Sequence, residues 1–129
     1  MNLKTLVLVT IGITTLNGTG ANAHDGYEKR YDPVTGGWCC TTNSGDNYGD
    51  CAVLNVEPGV ISGEVDGIRL RLTVEQAQRI NPLRTAPVDT VIPANRIQPS
   101  WDGNWHACLP SSPMPDRADV FCFFMPANG

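Results

Sequence analysis

Apolar and polar residues alternate most regularly between positions 68 and 72. Ile68, Leu70 and Leu72 share one face of an extended chain, while Arg69 and Arg71 share the other. A period of two is typical of a strand with one buried face and one face in water. We therefore predict an antiparallel strand here and interpret the two arginines as its ordinary solvent face.

The segment that follows has the spacing of a helix. Apolar residues recur three positions apart from 74 to 80, and Thr73 followed by Gln76 forms a capping-box pattern. Pro82 prevents the helix from continuing. We predict one short helix, Thr73–Ile80.

Five further segments are short, apolar and bounded by turn-forming residues, which indicates strands. They are Cys51–Val56, Val88–Ile92, Ala94–Ile97, Trp105–Leu109 and Val120–Phe124. Pro93 splits the second from the third, so we expect both at sheet edges. Residues 24–37 are expected to form an exposed lead-in with one helical turn capped by Asp25. The predicted fold class is mainly β: a small antiparallel β domain with one short helix, stabilised by disulfides.

The first 23 residues have the composition of a secretory signal peptide. A cationic start ending at Lys4 precedes a mostly apolar run, residues 5–16, and an Ala-Asn-Ala cleavage site at 21–23. The apolar run is too short to span a bilayer. We predict cleavage after Ala23, which leaves a single secreted or periplasmic domain, residues 24–129, with no transmembrane segment.

The charge of the chain narrows the classes of partner. The formal net charge is −4, and losing Lys4 with the signal peptide takes the mature chain to −5. Nucleic acids and anionic membranes attract basic patches, so an acidic, scattered balance argues against both. The expected partner is a protein or another component of the cell envelope.

Five cysteines lie after the predicted cleavage site, which indicates a disulfide framework in an oxidising compartment. Because five is odd, at most two bridges form within the chain and one thiol is left over. The set is Cys39, Cys40, Cys51, Cys108 and Cys122. Zinc is the alternative use of clustered cysteines, but the sequence contains no C-x-x-C pair.

Loop lengths favour some pairings over others. Cys108 and Cys122 flank a Pro/Ser-rich stretch, and a bridge between them would close it as a hairpin-like excursion. Cys51 would then pair with Cys39 or Cys40. A bridge between the adjacent Cys39 and Cys40 is disfavoured because it closes a strained ring. The leftover thiol is then either a buried inert group or the site of an intermolecular bridge.

Two histidines occur, and the predicted cleavage makes His24 the first residue of the mature chain. A neutral N-terminal amine and the imidazole of the same residue form a bidentate chelate. A second imidazole, from His106, completes a three-nitrogen site of the kind that Cu(II) prefers. Asp102, four residues before His106, is a candidate carboxylate ligand. The other interpretation of His106 is a hydrogen-bonded structural residue at the start of a strand.

These three residues resemble the ligands of histidine-brace copper proteins, which include periplasmic copper-resistance β-sandwich proteins and lytic polysaccharide monooxygenases. The resemblance implies copper as a cofactor, with His24 as terminal chelator, His106 as second ring ligand and Asp102 as carboxylate ligand. In the copper-resistance proteins the Asp stands closer to the His. Here the run is Asp-Gly-Asn-Trp-His, residues 102–106.

A second resemblance, to a group of small secreted bacterial proteins, covers more of the chain. Its pattern is His-Asp-x-Tyr, then Cys-Cys…Asp-Cys, then Pro-Ser-x-Asp-Gly-x-x-His-x-Cys and a closing strand. The matching segments are residues 24–27, 39–40, 50–51, 93–108 and 120–124. Gly26 stands where an aromatic residue is usual, and residues 58–90 match poorly. The group has no assigned activity, so the resemblance implies secretion and domain boundaries only.

Patterns of conventional catalysis find little support in the chain. The serines lie in no G-x-S-x-G setting, and neither a P-loop nor a G-x-G-x-x-G run occurs. Trp38, Trp101 and Trp105 are candidates for an exposed aromatic patch, with partial core burial expected for at least two of them. Our first expectation is a secreted binding or envelope-associated domain without catalysis of its own. Copper binding is the alternative.

Overall fold

The computed structural model describes residues 26–40, 49–55 and 57–127. The predicted signal peptide, His24 and the helix cap Asp25 lie outside these ranges. The described elements are β1 Gly49–Val53, β2 Ile61–Glu64, β3 Gly67–Leu72, α1 Val74–Ile80, β4 Val88–Pro93, β5 Ile97–Pro99, β6 His106–Pro110 and β7 Cys122–Met125. Within the described ranges no helix is long and apolar enough to cross a membrane. The chain is mainly β, as predicted.

The first sheet is antiparallel and has the order β2-β3-β4. Strand β3 confirms the alternation, because its apolar side chains are buried while Arg69 pairs with Glu64 at 2.7 Å and Asp89 at 2.9 Å. Strand β2 was not predicted, since Gly63 and Glu64 leave it few apolar positions. The two strands are joined by a tight turn in which Asp66 has a φ of 69°.

The predicted helix is confirmed together with its cap. The Thr73 hydroxyl accepts a hydrogen bond from the Gln76 backbone at 3.1 Å, and the Gln76 side chain accepts one from the Thr73 backbone at 2.8 Å. Ala77 and Ile80 face the core, and the helix ends at Ile80 with Asn81 as its C-cap. This reciprocal pairing satisfies two backbone donors that a helix start otherwise leaves open.

The second sheet has the order β1-β6-β7-β5, and its β5–β7 pair is parallel. The edge positions predicted for two strands are confirmed by β4 and β5. The predicted strand Ala94–Ile97 is wrong in its first three residues, which form a short 3-10 helix. That turn directs Arg96 into the interior, where its guanidinium donates to Asp32 and to the backbone oxygens of Val120 and Phe121.

Strands β6 and β7 are buried on both faces. On one face, residues such as Ala107 and Phe123 join a hydrophobic cluster with the first sheet and the helix. On the other face, residues such as Cys108 and Phe124 join a second cluster with residues 26–40, which we call the strap. The second sheet is therefore the middle layer, between the first sheet and the strap.

Most of the described residues between 26 and 37 are exposed, as predicted, but the strap is anchored by single buried residues. Tyr27, Asp32 and Cys39 are all buried. The Asp32 carboxylate accepts from the backbone of Val34 and Thr35, each at 2.8 Å, and from a distant guanidinium at 2.7 Å. The sequence did not predict these buried anchors, because the partners that bury them lie far away along the chain.

The cysteines form two disulfides, Cys39–Cys122 and Cys51–Cys108, and Cys40 lies outside both. Two bridges with one cysteine left over match the prediction. The favoured pairing was wrong, because Cys108 lies directly opposite Cys51 in the neighbouring strand, with Cα atoms 4.0 Å apart. Cys108 therefore bonds to β1, while Cys122 of β7 bonds to Cys39 of the strap.

A buried arginine closes the far end of the second sheet. The Arg84 guanidinium donates to the backbone oxygens of Ala86 at 2.8 Å, Pro87 at 3.0 Å and Pro110 at 3.2 Å. Its remaining donors meet both carboxylate oxygens of Asp119. All five donors of the guanidinium therefore have acceptors, which is what a fully buried arginine requires.

Candidate functional site around His106

His106 begins β6 and is buried on the face that the strap covers. Its Nδ1 lies 2.7 Å from the Tyr27 hydroxyl, and its Nε2 lies 2.6 Å from Oδ1 of Asp102. The strap thus supplies one partner and the turn before β6 supplies the other. Both ring nitrogens are engaged, as in a structural histidine.

The two partners determine the tautomer of His106 when its ring is neutral. Burial pushes the pKa of Asp102 upward, but hydrogen bonds from His106 and from the Asn104 backbone outweigh it and hold the pKa well below its usual range. An ionised carboxylate only accepts hydrogen bonds, so Nε2 carries the proton. Burial, with the Asp102 charge, raises the pKa of Tyr27 to about 12, so the protonated phenol donates to Nδ1.

A tight turn, residues 100–104, holds the carboxylate in place. Oδ1 of Asp102 accepts from the Ser100 hydroxyl at 2.9 Å and from the Asn104 backbone at 3.0 Å, besides the ring nitrogen. Gly103 has a φ of 77°, a left-handed conformation that favours glycine. The Asp-Gly pair therefore forms the turn that aims the carboxylate at His106.

Aromatic stacking covers the imidazole of His106. The Trp101 ring lies parallel to it, with centroids 4.2 Å apart and an interplanar angle of 20°. The Arg30 guanidinium sits on the Trp101 ring, 3.7 Å from its centroid, and donates to the Gly26 carbonyl at 2.7 Å. Such cation–π contacts add a modest attraction. The strap and the turn therefore enclose the imidazole together.

The three tryptophans differ in their exposure. Trp38 is 57% exposed and Trp101 is 40% exposed, while Trp105 packs partly against the core. Trp38 lies edge-on to Tyr31, with centroids 6.3 Å apart and an angle of 86°, and the backbones of these two residues pair as an antiparallel bridge. Val34, at the tip between them, is also exposed. We call these three side chains the strap face.

The structure brings together two of the three predicted copper ligands. His106 and Asp102 are in contact, whereas His24 lies outside the described residues. Within the described ranges no group of three His, Cys, Asp or Glu side chains has the arrangement of a metal site. A small cavity of about 150 Å³ is lined by residues such as Leu54, Gln76 and Arg79, and neither His106 nor Asp102 lines it.

Three residues that build this region had no predicted role: Asp32, Arg96 and Tyr27, although Tyr27 belongs to the His-Asp-x-Tyr pattern. No local pattern marks a tyrosine or an aspartate whose partner is more than sixty residues away. Arg96 carried a usable signal, since a single arginine inside an apolar segment is rarely left unpaired when it is buried.

No protein-family model, curated protein or solved structure matches the chain.

Proposed function

We propose that the chain is a secreted or periplasmic, non-catalytic binding domain that meets its partner through the strap face. The observation that carries this proposal is the exposed aromatic pair, in which Tyr31 is 56% and Trp38 is 57% exposed. Single exposed apolar residues are ordinary, but large aromatic side chains held side by side are typical of binding hot spots.

Each aromatic residue stands next to an anchor. Trp38 precedes Cys39, which is bonded to Cys122, and Tyr31 precedes Asp32, which is paired with Arg96. Anchoring means that the segment loses its conformational freedom on folding and not on binding. A partner would therefore meet an ordered surface, which favours affinity.

The compartment and the partner class follow from chemistry. Two disulfides are typical of proteins in oxidising compartments, in agreement with the predicted signal peptide. The acidic balance argues against nucleic acid and anionic lipid. We therefore propose a protein or another envelope component as the partner.

The experiment measures binding of the mature protein, residues 24–129, to envelope fractions from the cells that produce it. We expect Trp38→Ser to weaken binding by about tenfold or more, as loss of a hot-spot aromatic does. Val65→Ser is the matched control, because Val65 is 87% exposed on the turn between β2 and β3. Equal losses in both variants, or reproducible turnover of a substrate by the mature protein, would contradict the proposal.

A second candidate function, copper binding by His24, His106 and Asp102, is favoured by one distance. Nε2 of His106 and Oδ1 of Asp102 are 2.6 Å apart. Two cis ligands with bonds of about 2 Å stand about 2.8 Å apart on one metal. Cu(II) would replace the Nε2 proton with little movement. Nδ1 would then donate to Tyr27, the kind of outer contact that orients metal-bound histidines.

The position of His24 along the chain is compatible with its binding a copper ion at His106 and Asp102. Tyr27 contacts His106, and His24 precedes Tyr27 by three residues. An extended chain covers at most about 3.6 Å per residue, so the Cα of His24 stays within about 11 Å of the Cα of Tyr27.

The copper test compares mature protein beginning at His24 with a variant that has one added glycine before it. We expect one Cu(II) per chain in the first, and an affinity lower by about tenfold or more in the second, since the added residue removes the chelating amine. His106→Gln should weaken binding as well. Unchanged affinity in the glycine-extended variant would remove this candidate without touching the strap-face proposal.

A further inference from the structure

Three cysteines form a continuous row across three neighbouring strands. Cys108 of β6 lies directly opposite Cys51 of β1 on one side and directly opposite Cys122 of β7 on the other. Directly opposite residues of antiparallel strands point to the same face with Cα atoms about 4.5–5.5 Å apart, which suits a disulfide. Cys108 therefore has two suitable partners, and this fold uses Cys51.

The strap places two more sulfurs beside the row. Cys39 is bonded to Cys122, and the next residue, Cys40, is the cysteine outside both disulfides. The Cys51 Sγ lies 3.5 Å from the carbonyl oxygen of Cys39, and the Cys40 Sγ lies 3.7 Å from that of Gly49, two residues before Cys51. All five cysteines belong to one cluster or pack against it.

We propose that the domain has a second disulfide isomer, Cys40–Cys51 with Cys108–Cys122, reached by two internal exchanges. In the first, the Cys40 thiolate attacks Cys51, the Cys40–Cys51 bond forms, and the Cys51–Cys108 bond breaks to leave a Cys108 thiolate. In the second, this thiolate attacks Cys122, the Cys108–Cys122 bond forms, and the Cys39–Cys122 bond breaks. Cys39 takes up the proton that Cys40 lost. Two disulfides and one thiol exist before and after, so the exchange needs no oxidant or reductant.

The exchange changes which strand holds the strap. In the structure the strap is bonded to β7 through Cys39, and in the second isomer it is bonded to β1 through Cys40. The thiol moves from the half-buried Cys40 to the buried Cys39. Because Trp38 adjoins these cysteines, the isomer also changes the backbone that supports the strap face. The inference does not depend on the proposed function.

The thiolate fraction of Cys40 sets the rate. Burial raises the pKa of Cys40 to about 11, and the carboxylates of Asp50 in β1 and Glu28 in the strap add to the effect. The phenol of Tyr27, also close to this thiol, stays protonated, with a pKa of about 12. Only the thiolate attacks a disulfide, so the rate should rise about tenfold per pH unit below the pKa of Cys40.

Trypsin separates the two isomers, because no Lys or Arg lies between residues 31 and 68. Peptide 31–69 carries three of the cysteines, peptide 97–117 carries Cys108 and peptide 118–129 carries Cys122. The isomer in the structure joins all three peptides. The second isomer joins 97–117 to 118–129 and leaves 31–69 separate with an internal bridge.

The purified protein is incubated at neutral and at alkaline pH without added thiol, and its free thiols are then alkylated. It is digested with trypsin, and the masses of the peptides are measured by mass spectrometry. We expect the 97–117/118–129 pair to accumulate about tenfold faster per pH unit, at a rate independent of protein concentration. Cys40→Ser is the matched control and should give only the three-peptide species. The proposal is overturned if the unsubstituted protein gives only that species, or if Cys40→Ser forms the pair at the same rate.

Discussion

The two faces of the second sheet are covered in different ways. The first sheet and the helix cover one face with aliphatic side chains from β3, α1 and β4. The strap covers the other face through Tyr27, the Cys39–Cys122 disulfide and the Asp32–Arg96 pair. Aliphatic packing follows from local periodicity, whereas the strap depends on single partners that must meet at defined points.

This difference explains where the strap gains its order. Hydrophobic packing is roughly proportional to buried area and tolerates small changes of shape. Buried charges and polar groups stabilise the fold only when every hydrogen-bond partner is present, and they destabilise it when one partner is missing. We therefore expect a single substitution of a polar residue in the strap or its anchors to destabilise the protein more than the loss of the helix cap does.

The largest expected effect comes from Arg84→Met. This change leaves the Asp119 carboxylate and three backbone oxygens without their guanidinium donor. Removing one partner of a buried ion pair lowers the free energy of unfolding by about 3–5 kcal/mol. We expect this variant at the upper end of that range, because it also loses hydrogen bonds to three backbone oxygens. Urea unfolding would measure it. The control is Arg71→Met, whose exposed pair at 3.7 Å contributes at most about 0.5 kcal/mol. Similar losses in both variants would contradict the account.

The sequence was informative where the structure is locally periodic. The alternation of β3 and the capping box of Thr73 were predictable because the residues that stabilise them lie within a few positions of one another. The contacts of His106 were predictable only in part. Its Asp102 contact spans four residues and its Tyr27 contact spans 79. The disulfide pairing required the register of β1, β6 and β7, which periodicity does not provide.

The next effect in size comes from Asp32→Asn. The amide can keep the turn contacts with Val34 and Thr35, but it leaves Arg96 buried without a counter-charge. We expect a loss of about 3 kcal/mol at neutral pH, measured by urea unfolding. Asp89→Asn, at an exposed carboxylate, is the control and should cost far less.

The same carboxyl predicts a pH dependence. Burial pushes the pKa of Asp32 upward, but hydrogen bonds from the Thr35 backbone and Arg96 outweigh it and lower the pKa below its usual value. A lowered pKa in the folded state stabilises the fold above the unfolded value of about 3.9, and this contribution is lost as pH falls through the folded value. Asp32→Asn should therefore reduce the slope of stability against pH in the acid range. An unchanged slope would contradict this assignment.

A smaller effect is expected from Tyr27→Phe. The substitution keeps the ring in the cluster but removes the donor to Nδ1 of His106, which leaves a buried acceptor unpaired. Such a loss costs about 1–2 kcal/mol. Tyr31→Phe removes a hydroxyl from an exposed ring and should change stability by less than about 0.5 kcal/mol. Thermal unfolding of both variants measures the difference, and equal midpoints would argue against the Tyr27–His106 contact.

The smallest effect lies in the helix. Thr73→Ala removes the acceptor for the Gln76 backbone and should cost about 1 kcal/mol. Thr73→Ser keeps the hydroxyl and should restore most of the stability, as urea unfolding would show. If Thr73→Ala lost more stability than Asp32→Asn, the local contact would be the stronger one, which contradicts the proposed contrast between local and long-range contacts.

The most direct test of the account is native-state hydrogen exchange of the strap, because the central claim is that it is a fixed layer on the second sheet. The amide of Asp32 bonds to the Gly37 carbonyl at 2.8 Å, and that of Cys39 bonds to the Arg30 carbonyl at 3.1 Å. If the strap is a fixed layer, these two amides are protected to an extent similar to those of β6 and β7. Exchange of both at the rate of an unstructured peptide, while β3 stays protected, would contradict it.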